Sequence, residues 1–362
     1  MKKILFTIIL LIVCPLSVNA LSAETAIVMD QDSGRVLFDK SINKEKLIAS
    51  TTKIMTMLVV LENSDLNTVI TVDDRVLKSY GSAIYIEVGE KISVLDLLYG
   101  LILRSGNDAA IVLADYIAGS MESFADMMNQ KAKVIGMKNT IFYNSHGLEE
   151  NDGKGNTSTA YDMALLTRYA MHCDTFREIF ATKTWSAKTN YKTYVWKNKN
   201  KLLYSYEYTT GGKTGFTEKA KRTLVTTATK DNKNLIVVTL NDGNDFGDHK
   251  ALYEQYFSQY DLIKILDKND FKVNNEEYYR NDKLTIKCNY QILLTKEEIK
   301  QIKTVVELEK ISWPKYNGRV GVVKVFISND LVHEEEIYLV KGKILKKDFW
   351  SKIWNFIKFW DS

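Results

Sequence analysis

The sequence predicts an α/β domain built on an antiparallel sheet, followed by a small β domain. Strand-like runs lie near the start of the chain and again over residues 224–240, with helical patterns between them. Strands at both ends around a helical middle favour a sheet whose neighbouring strands run antiparallel. After about residue 262 the pattern changes to short alternating strands, and no internal repeat is visible.

The composition is that of an ordinary globular protein. Of the 362 residues, 45% are hydrophobic and 26% are charged, which excludes collagen-like, low-complexity and wholly disordered chains. This length predicts two or three domains and is enough to bury a full core. The formal net charge of +4 falls to +2 once Lys2 and Lys3 leave with a leader, too small an excess to indicate nucleic-acid binding.

The first twenty residues predict a secretory signal peptide. Two lysines precede the apolar run 4–13, and small side chains stand at the −3 and −1 positions before Ala20. The run is too short to span a bilayer core of about 30 Å, so we expect cleavage after Ala20, or alternatively after Ala23. Cys14 does not predict a lipoprotein, because the residue before it is bulky. The exported chain then keeps two distant cysteines and no disulfide framework, Cys173 and Cys288.

The predicted elements follow in order. A hairpin of strands 25–30 and 36–38 begins the mature domain. Helical spacing then dominates the middle, in segments 53–61, 94–103, 109–117, 159–169 and 176–180. Strands 224–228 and 235–240 complete the first domain, which we place at 21–262. The small β domain is expected over 263–342, with strands at 283–288, 305–309, 320–327 and 335–340.

Candidate chemistry begins where the first predicted helix starts. Ser50 and Lys53 are three residues apart and therefore share a helix face, where a neutral lysine can take the serine proton. The run after Lys53 is so apolar that burying its ammonium is costly without a purpose. The same spacing recurs at Ser41 and Lys44, among charged neighbours typical of solvated surface. A capped helix start with a snorkelling lysine is the competing interpretation of Ser50 and Lys53.

Two further motifs are weak alone and strong in combination. Ser105 and Asn107 lie between two apolar helices, where a turn with Asn107 or Asp108 as the cap is the plain interpretation. Segment 211–215, which contains Lys213, predicts a glycine-edged strand that another backbone approaches, or a turn. Ser-x-x-Lys, Ser-x-Asn and Lys-Thr-Gly in this order mark class A β-lactamases and penicillin-binding proteins.

Over residues 24–340 the chain resembles the low-molecular-mass penicillin-binding proteins that are serine-type D-alanyl-D-alanine carboxypeptidases. Stretches close to ones typical of that family are 144–148, 158–164, 198–203 and 213–217. The resemblance implies a β-lactamase/transpeptidase-like domain, in which a helical cluster packs on the antiparallel sheet. It also implies hydrolysis of the terminal D-alanine from peptidoglycan stem pentapeptides, and acylation by penicillin.

The resemblance implies a role for each motif residue. Ser50 attacks the carbonyl of the penultimate D-alanine, Lys53 is its base, and Ser105 relays the proton to the leaving amine. Backbone N–H groups of Ser50 and of the Lys213 strand form the oxyanion hole. The substrate-binding residues are Asn107 for the substrate amide, Lys213 and Thr214 for the terminal carboxylate, and the neighbouring Gly215 and Phe216.

Two physical requirements accompany these roles. For Lys53 to act near neutral pH, its pKa must fall roughly 3 units from about 10.4, or on the order of 4 kcal/mol. Burial and repulsion from Lys213 are the available causes. His146 is expected to be a loop residue and not a base. The 4 histidines and the remaining cysteines show no zinc spacing, so we expect no metal and no cofactor.

Two departures from the family pattern narrow the expected activity. Between Asn107 and Lys213 no Glu-x-x-Leu-Asn segment supplies a deacylating carboxylate, so we expect a carboxypeptidase and not a β-lactamase. An arginine that many relatives carry is absent from 244–249, and Arg222 is a candidate replacement, with a solvated turn charge as the alternative. A DD-endopeptidase acting on cross-linked peptidoglycan and a non-enzymatic wall-binding scaffold are the other functions considered.

The last segment predicts a membrane-surface helix. Residues 346–361 place aromatic and aliphatic side chains on one helix face and polar ones on the other. Its length of about 24 Å is short of the hydrocarbon core, so it should lie in the interface. This anchor, at 343–362, would hold the exported protein on the outer face of the cytoplasmic membrane. Docking of the helix on the small β domain is the alternative.

Overall fold

The computed structural model describes residues 21–149, 153–273, 279, 283–309 and 318–340. The predicted signal peptide and the predicted helix over 346–361 lie outside the described residues. The strands are β1 (Thr25–Asp30), β2 (Val36–Lys40), β3 (Lys46–Leu47), β4 (Val69–Thr71), β5 (Lys91–Ser93), β6 (Thr157–Ser158), β7 (Thr184–Lys188), β8 (Thr193–Lys197), β9 (Thr209–Thr217), β10 (Lys221–Lys230), β11 (Lys233–Leu240), β12 (Asp261–Leu266), β13 (Lys283–Ile286), β14 (Tyr290–Leu294), β15 (Ile302–Leu308), β16 (Arg319–Ile327) and β17 (Asp330–Val340). The helices are α1 (Lys53–Asn63), α2 (Val94–Tyr99), α3 (Asn107–Ala118), α4 (Met121–Ile135), α5 (Ala160–Ala170), α6 (Asp174–Ala181), α7 (Leu202–Ser205), α8 (Asp245–Gln259) and α9 (Lys296–Ile299).

A five-stranded antiparallel sheet in the order β2-β1-β11-β10-β9 organises the first part of the chain. Alternate residues of a strand point to opposite faces of the sheet, and both faces are covered here. Ile27 and Met29 face a large core that they share with the helical middle, whereas Val28 faces a smaller core beneath α8. This double burial explains why β1 is a continuous apolar run. The α/β class with an antiparallel sheet is confirmed.

The buried helix α1 carries the first motif into the large core. Every residue from Lys53 to Val60 is buried, as its all-round apolar pattern predicts. The predicted helix over 94–103 is wrong in one respect, because α2 ends at Tyr99 and a π-helical turn follows over Gly100–Arg104. Ser105 ends that turn in the left-handed region, at φ +63°.

Strands dominate after residue 260. β13-β17-β16-β15 form a four-stranded sheet and β12 pairs with β14, with small apolar clusters of their own. β13, β15, β16 and β17 overlap the strands predicted from the sequence. Arg35 in the turn before β2 donates to the Leu293 carbonyl oxygen at 2.6 Å and forms an ion pair with Glu298. No helix in the described part of the chain is long and apolar enough to cross a bilayer.

Candidate active site

An open cleft of about 450 Å³ lies beside the edge strand of the central sheet. β9 forms one wall, and the 3₁₀ turn Ala49–Thr52 before α1 carries Ser50 into the cleft. Ser105, at the turn before α3, also lines it. The three motifs that are far apart in the sequence therefore meet at one place.

The 3₁₀ turn holds Ser50 just before the N-terminal end of α1. The Ile48 carbonyl oxygen accepts hydrogen bonds from the Thr51 hydroxyl at 2.5 Å and from the Thr223 hydroxyl of β10 at 3.1 Å. Thr51 is fully buried, so this threonine, a poor helix former, serves the turn and not the helix. The turn is therefore tied to the sheet, and α1 begins only at Lys53.

Lys53 is fully buried, and its Nζ contacts three oxygens. They are Ser50 Oγ at 3.0 Å, Asn107 Oδ1 at 2.7 Å and the His146 carbonyl oxygen at 2.6 Å. A neutral amine has two N–H donors and one lone pair, and the amide and carbonyl oxygens can only accept. Neutral Lys53 must therefore donate to Asn107 and His146 and accept the Ser50 proton, which is the orientation that a general base needs.

The surroundings of Lys53 favour that neutral state. Burial first, and then the ammonium groups of Lys213 and Lys199, hold the pKa of Lys53 well below its ordinary value. Asp108, which acts in the opposite direction, has its carboxylate occupied by the backbone N–H groups of Ile84 and Tyr85. Both causes expected from the sequence are present, and Lys199 is a third cause, which the sequence did not indicate.

Asn107 is fixed by bonds at both ends of its carboxamide. Nδ2 donates to the Tyr80 carbonyl oxygen at 2.6 Å, which determines that Oδ1 faces Lys53. The side chain thus orients Lys53 directly. A bond from Asn107 to the substrate amide stays a prediction.

Lys213 and Ser105 form a second lysine–serine pair. Lys213 Nζ lies 3.1 Å from Ser105 Oγ and 2.7 Å from the Thr214 carbonyl oxygen. Burial, followed by the charge of Lys199, lowers the pKa of Lys213 to about 7. Ser105 has a left-handed backbone that costs about 1–3 kcal/mol for a residue other than glycine, a strain typical of functional sites.

The loop 144–148 closes the site from the side of α1. The backbone of His146 holds Lys53, while its Nδ1 accepts from the Leu148 N–H at 3.1 Å. Burial, with a smaller contribution from Lys53, lowers the pKa of His146 to about 3. The ring is therefore neutral and hydrogen-bonded within its own loop, which is the structural role expected for this residue.

Gly215 brings the β9 backbone against the Ser50 turn. A Cβ built on Gly215 would lie 3.0 Å from the Ser50 nitrogen and 3.1 Å from the Thr51 nitrogen. Segment 211–215 is accordingly a strand that another backbone approaches, and not a turn. Phe216, the next residue, is exposed at the cleft.

Arg222 and the start of α8 form the far wall of the cleft. Arg222 pairs across the sheet with Phe216 and forms an ion pair with Asp245. Its guanidinium also stacks over the Phe246 ring, 5.5 Å from the centroid. The structure therefore places Arg222 in the cleft, at the point where the sequence lacks the expected arginine.

Lys199 and Ser82 are cleft residues that the sequence did not indicate. Lys199 Nζ lies 3.0 Å from Ser82 Oγ, and both residues line the cleft. Lys199 stands within the family-like stretch 198–203, where its charge was the available signal. In the described residues no three His, Cys, Asp or Glu side chains are grouped as metal ligands.

The family model for D-alanyl-D-alanine carboxypeptidases of peptidase family S11 matches residues 14–244, more than half of the chain. The chain belongs to this family. The resemblance inferred from the three motifs is confirmed, and the protein is a serine-type carboxypeptidase of the hydrolase class.

The proteins similar to this chain match different shares of its length. D-alanyl-D-alanine carboxypeptidase DacC of Escherichia coli is 30% identical in an alignment of 359 positions that covers 93% of this chain and 88% of that protein. DacF of Bacillus subtilis is 38% identical in an alignment of 223 positions that covers 60% of this chain and 56% of DacF. Penicillin binding protein 5 from Haemophilus influenzae superposes with a TM-score of 0.74 at 25% identity, covering 89% of this chain and 97% of that structure.

Proposed function

We propose that Ser50 is the nucleophile and Lys53 its general base in the hydrolysis of D-Ala-D-Ala termini of peptidoglycan stem pentapeptides. The observation that carries this proposal is the contact set of Lys53, which leaves Ser50 as the one neighbour able to give its proton. The Ser50 oxygen attacks the penultimate D-alanine carbonyl as its proton moves to Lys53 Nζ. The peptide bond then breaks and an ester forms on Ser50.

The leaving amine of the terminal D-alanine needs a proton. Ser105, whose hydroxyl lies 3.1 Å from Lys213 Nζ, relays it: the hydroxyl gives its proton to the amine and takes in return the proton that Lys53 received from Ser50, so that Lys53 and Ser105 are both neutral again. Backbone N–H groups of Ser50 and Phe216 stabilise the oxyanion, because β9 approaches the Ser50 turn at Gly215. Water then hydrolyses the ester and releases the shortened peptide.

Positive charge along the cleft binds the terminal carboxylate. Lys213 and Thr214 hold it from β9, and Arg222 adds a guanidinium from β10. Lys199 contributes a fourth polar group and raises the local potential. These groups favour a free C-terminal carboxylate over a cross-linked one, so carboxypeptidase action is preferred to endopeptidase action.

Penicillin acylates Ser50, and the penicilloyl ester that results is hydrolysed slowly. Among the described residues that line the cleft, Asp245 is the one carboxylate, and Arg222 already pairs with it. A free carboxylate that activates water, as in class A β-lactamases, is not found there. A wall-binding scaffold without turnover would be expected to lose Lys53 or another motif residue, and this chain keeps them all.

The chain organisation follows from the same proposal. A signal peptide at 1–20 exports the enzyme, 21–262 forms the catalytic domain, and 263–342 forms a small β domain. The amphipathic segment at 343–362 rests on the membrane surface and places the cleft near the cell wall. The enzyme therefore works on the outer face of the cytoplasmic membrane.

Release of D-alanine from a stem pentapeptide tests the function. We expect release from the intact protein, loss of it in Ser50→Ala, and no release from a peptide that ends in a single D-alanine. Arg222→Ala should raise KM with kcat nearly unchanged, whereas Lys221→Ala, an exposed neighbour on the same strand, should not. Activity retained in Ser50→Ala, or confined to cross-linked peptides, would contradict the proposal.

A further inference from the structure

The first described residues are part of the fold. Ala23 is buried, and the Ser22 N–H donates to Asp248 Oδ2 at 2.7 Å. The Ser22 hydroxyl lies within hydrogen-bond distance of both Asp242 and Asp248. Lys40 Nζ donates to the Leu21 carbonyl oxygen at 2.8 Å. These contacts tie residues 21–23 to β2, to α8 and to the loop before α8.

Two buried carboxylates meet at this point without a cationic side chain. Asp242 is 1% exposed and Asp248 is 9% exposed. Within the described residues neither forms an ion pair with a lysine or arginine, and Asp242 Oδ2 has no hydrogen-bond partner. Burial, and repulsion from Asp248, raise the pKa of Asp242. A buried carboxylate of this kind is costly unless a positive charge lies nearby.

Removal of the leader creates such a charge. Hydrolysis of the Ala20–Leu21 peptide bond by an export-pathway peptidase consumes one water, leaves a carboxylate on Ala20 and an α-amine on Leu21, and the amine takes up a proton. Backbone geometry places the Leu21 nitrogen within about 4 Å of the Ser22 nitrogen, which is itself 2.7 Å from Asp248 Oδ2, and hence within about 7 Å of that carboxylate. Cleavage after Ala23 would instead remove Ser22 and its bonds to both aspartates.

We propose that the protein matures by cleavage after Ala20, and that the Leu21 α-ammonium and Ser22 then clamp the loop that positions the far wall of the cleft. The Asn244 N–H donates to Ser22 Oγ at 2.9 Å and to Asp242 Oδ1 at 3.0 Å. The next residues are Asp245 and Phe246, which line the cleft. Ser22 is thus a positioning residue, which acts on the cleft through Asn244.

The cleavage site is tested by exporting the full chain from a bacterial host and measuring the intact mass of the mature protein. We expect a chain that begins at Leu21. An intact mass that corresponds to a chain beginning at Glu24, or an active protein that retains the leader, would overturn the proposal. This measurement does not depend on the enzymatic function.

The clamp is tested with variants of the mature chain, and this part rests on the proposed function. Ser22→Ala, and an added Gly-Ser before Leu21 that moves the ammonium away, should each raise KM for a D-Ala-D-Ala peptide about threefold or more, with kcat within about twofold. Ser22→Thr should restore KM, and Ser33→Ala, which removes a hydroxyl bonded to Asp30 in a distant turn, should leave it unchanged.

Equal KM values in Ser22→Ala, the extended chain and the unaltered chain would overturn the clamp. If the unaltered mature chain releases no D-alanine, the proposed function fails instead. In that case the intact mass still tests the cleavage site, and the melting temperatures of the same variants test the clamp. A Ser22→Ala protein as stable as the unaltered mature chain would count against it.

Discussion

At the scale of single residues, the site depends on a buried lysine, Lys53, whose surroundings lower its pKa and so favour the neutral form. Lys53 reaches Ser50, Asn107 and His146 with one nitrogen, so its protonation state determines the direction of the Ser50 hydrogen bond. The sequence suggested the pair but could not distinguish it from a snorkelling lysine. In the structure Lys53 is fully buried, which is not the position of a snorkelling side chain. Asn107 and the His146 carbonyl oxygen, which contact Lys53, are brought to it only by the fold.

Lys53→Gln should lower the rate of Ser50 acylation by penicillin by about 10²-fold to 10⁴-fold, because the general base is lost. The matched control is Lys44→Gln in the second Ser-x-x-Lys motif, where the lysine is exposed and pairs with Glu24. Stopped-flow or quenched labelling measures the rate. Equal rates in the Lys53→Gln and Lys44→Gln proteins would remove Lys53 from the mechanism.

The charge of Lys213 predicts a pH dependence. Since the pKa of Lys213 is about 7, the ammonium is lost as the pH rises through that value, and its attraction for the substrate carboxylate is lost with it. We expect kcat/KM for a D-Ala-D-Ala peptide to decrease above about pH 7. A substrate whose C-terminal carboxylate is amidated serves as the control and should show a smaller decrease. A flat profile for the free carboxylate from pH 6 to 9 would contradict this assignment.

At the scale of elements, the loop 144–148 and the Ser50 turn fit together only without a side chain at residue 147. Gly147 has φ +90°, and a Cβ there would lie 2.0 Å from the Ala49 carbonyl oxygen. Gly136 has almost the same backbone angle, φ +89°, with nothing within 4 Å of its Cβ position. Substitution of Gly136 therefore tests backbone strain alone, whereas substitution of Gly147 adds a steric clash that displaces Ser50.

Gly136→Ala should cost about 1–2 kcal/mol of stability and leave penicillin acylation unchanged. Gly147→Ala should cost more, and should slow acylation of the folded fraction at least tenfold, because Ala49 must move with Ser50 attached. Denaturant unfolding and the labelling rate measure the two effects. Identical results for both variants would show that Gly147 does not position Ser50.

The elements that the sequence predicted are those with a regular apolar pattern. α1, α3, α5 and the strands β1, β10 and β11 face a core along a continuous stripe or run, and their positions follow from it. α4 and α8 were missed. α4 buries a narrow stripe, and α8 buries Asp245, Asp248 and His249, which interrupt its apolar pattern.

The candidate site, too, has residues that the sequence predicted and residues that it did not. Its residue types and their order were visible in the three motifs, so Ser50, Lys53, Ser105, Asn107 and Lys213 could be named from the sequence. Lys199 could not, because its role depends on distances between chain segments that no local pattern encodes. The same holds for the pairing of Arg222 with Asp245, which requires β10 and α8 to meet at the cleft.

At the scale of the whole molecule, the proposed anchor is expected to determine where the enzyme lies and not how fast it reacts. Truncation after Leu345 should release an active enzyme from membranes, because the described residues that line the cleft all lie at or before Phe246 in the sequence. Sedimentation with vesicles that contain anionic lipids, together with D-alanine release, measures both properties. A truncated protein that still sediments, or that unfolds, would favour docking of the segment on the small β domain.

The central claim is that Ser50 forms the covalent intermediate, and labelling with a tagged penicillin followed by peptide mass mapping tests it most directly. We predict one adduct, on the peptide that contains Ser50, persisting for minutes or longer. It should be absent from Ser50→Ala and unchanged in Ser41→Ala, the serine of the exposed second motif. An adduct on the peptide that contains Ser41, or rapid release of penicilloic acid with recovery of the enzyme, would contradict the account.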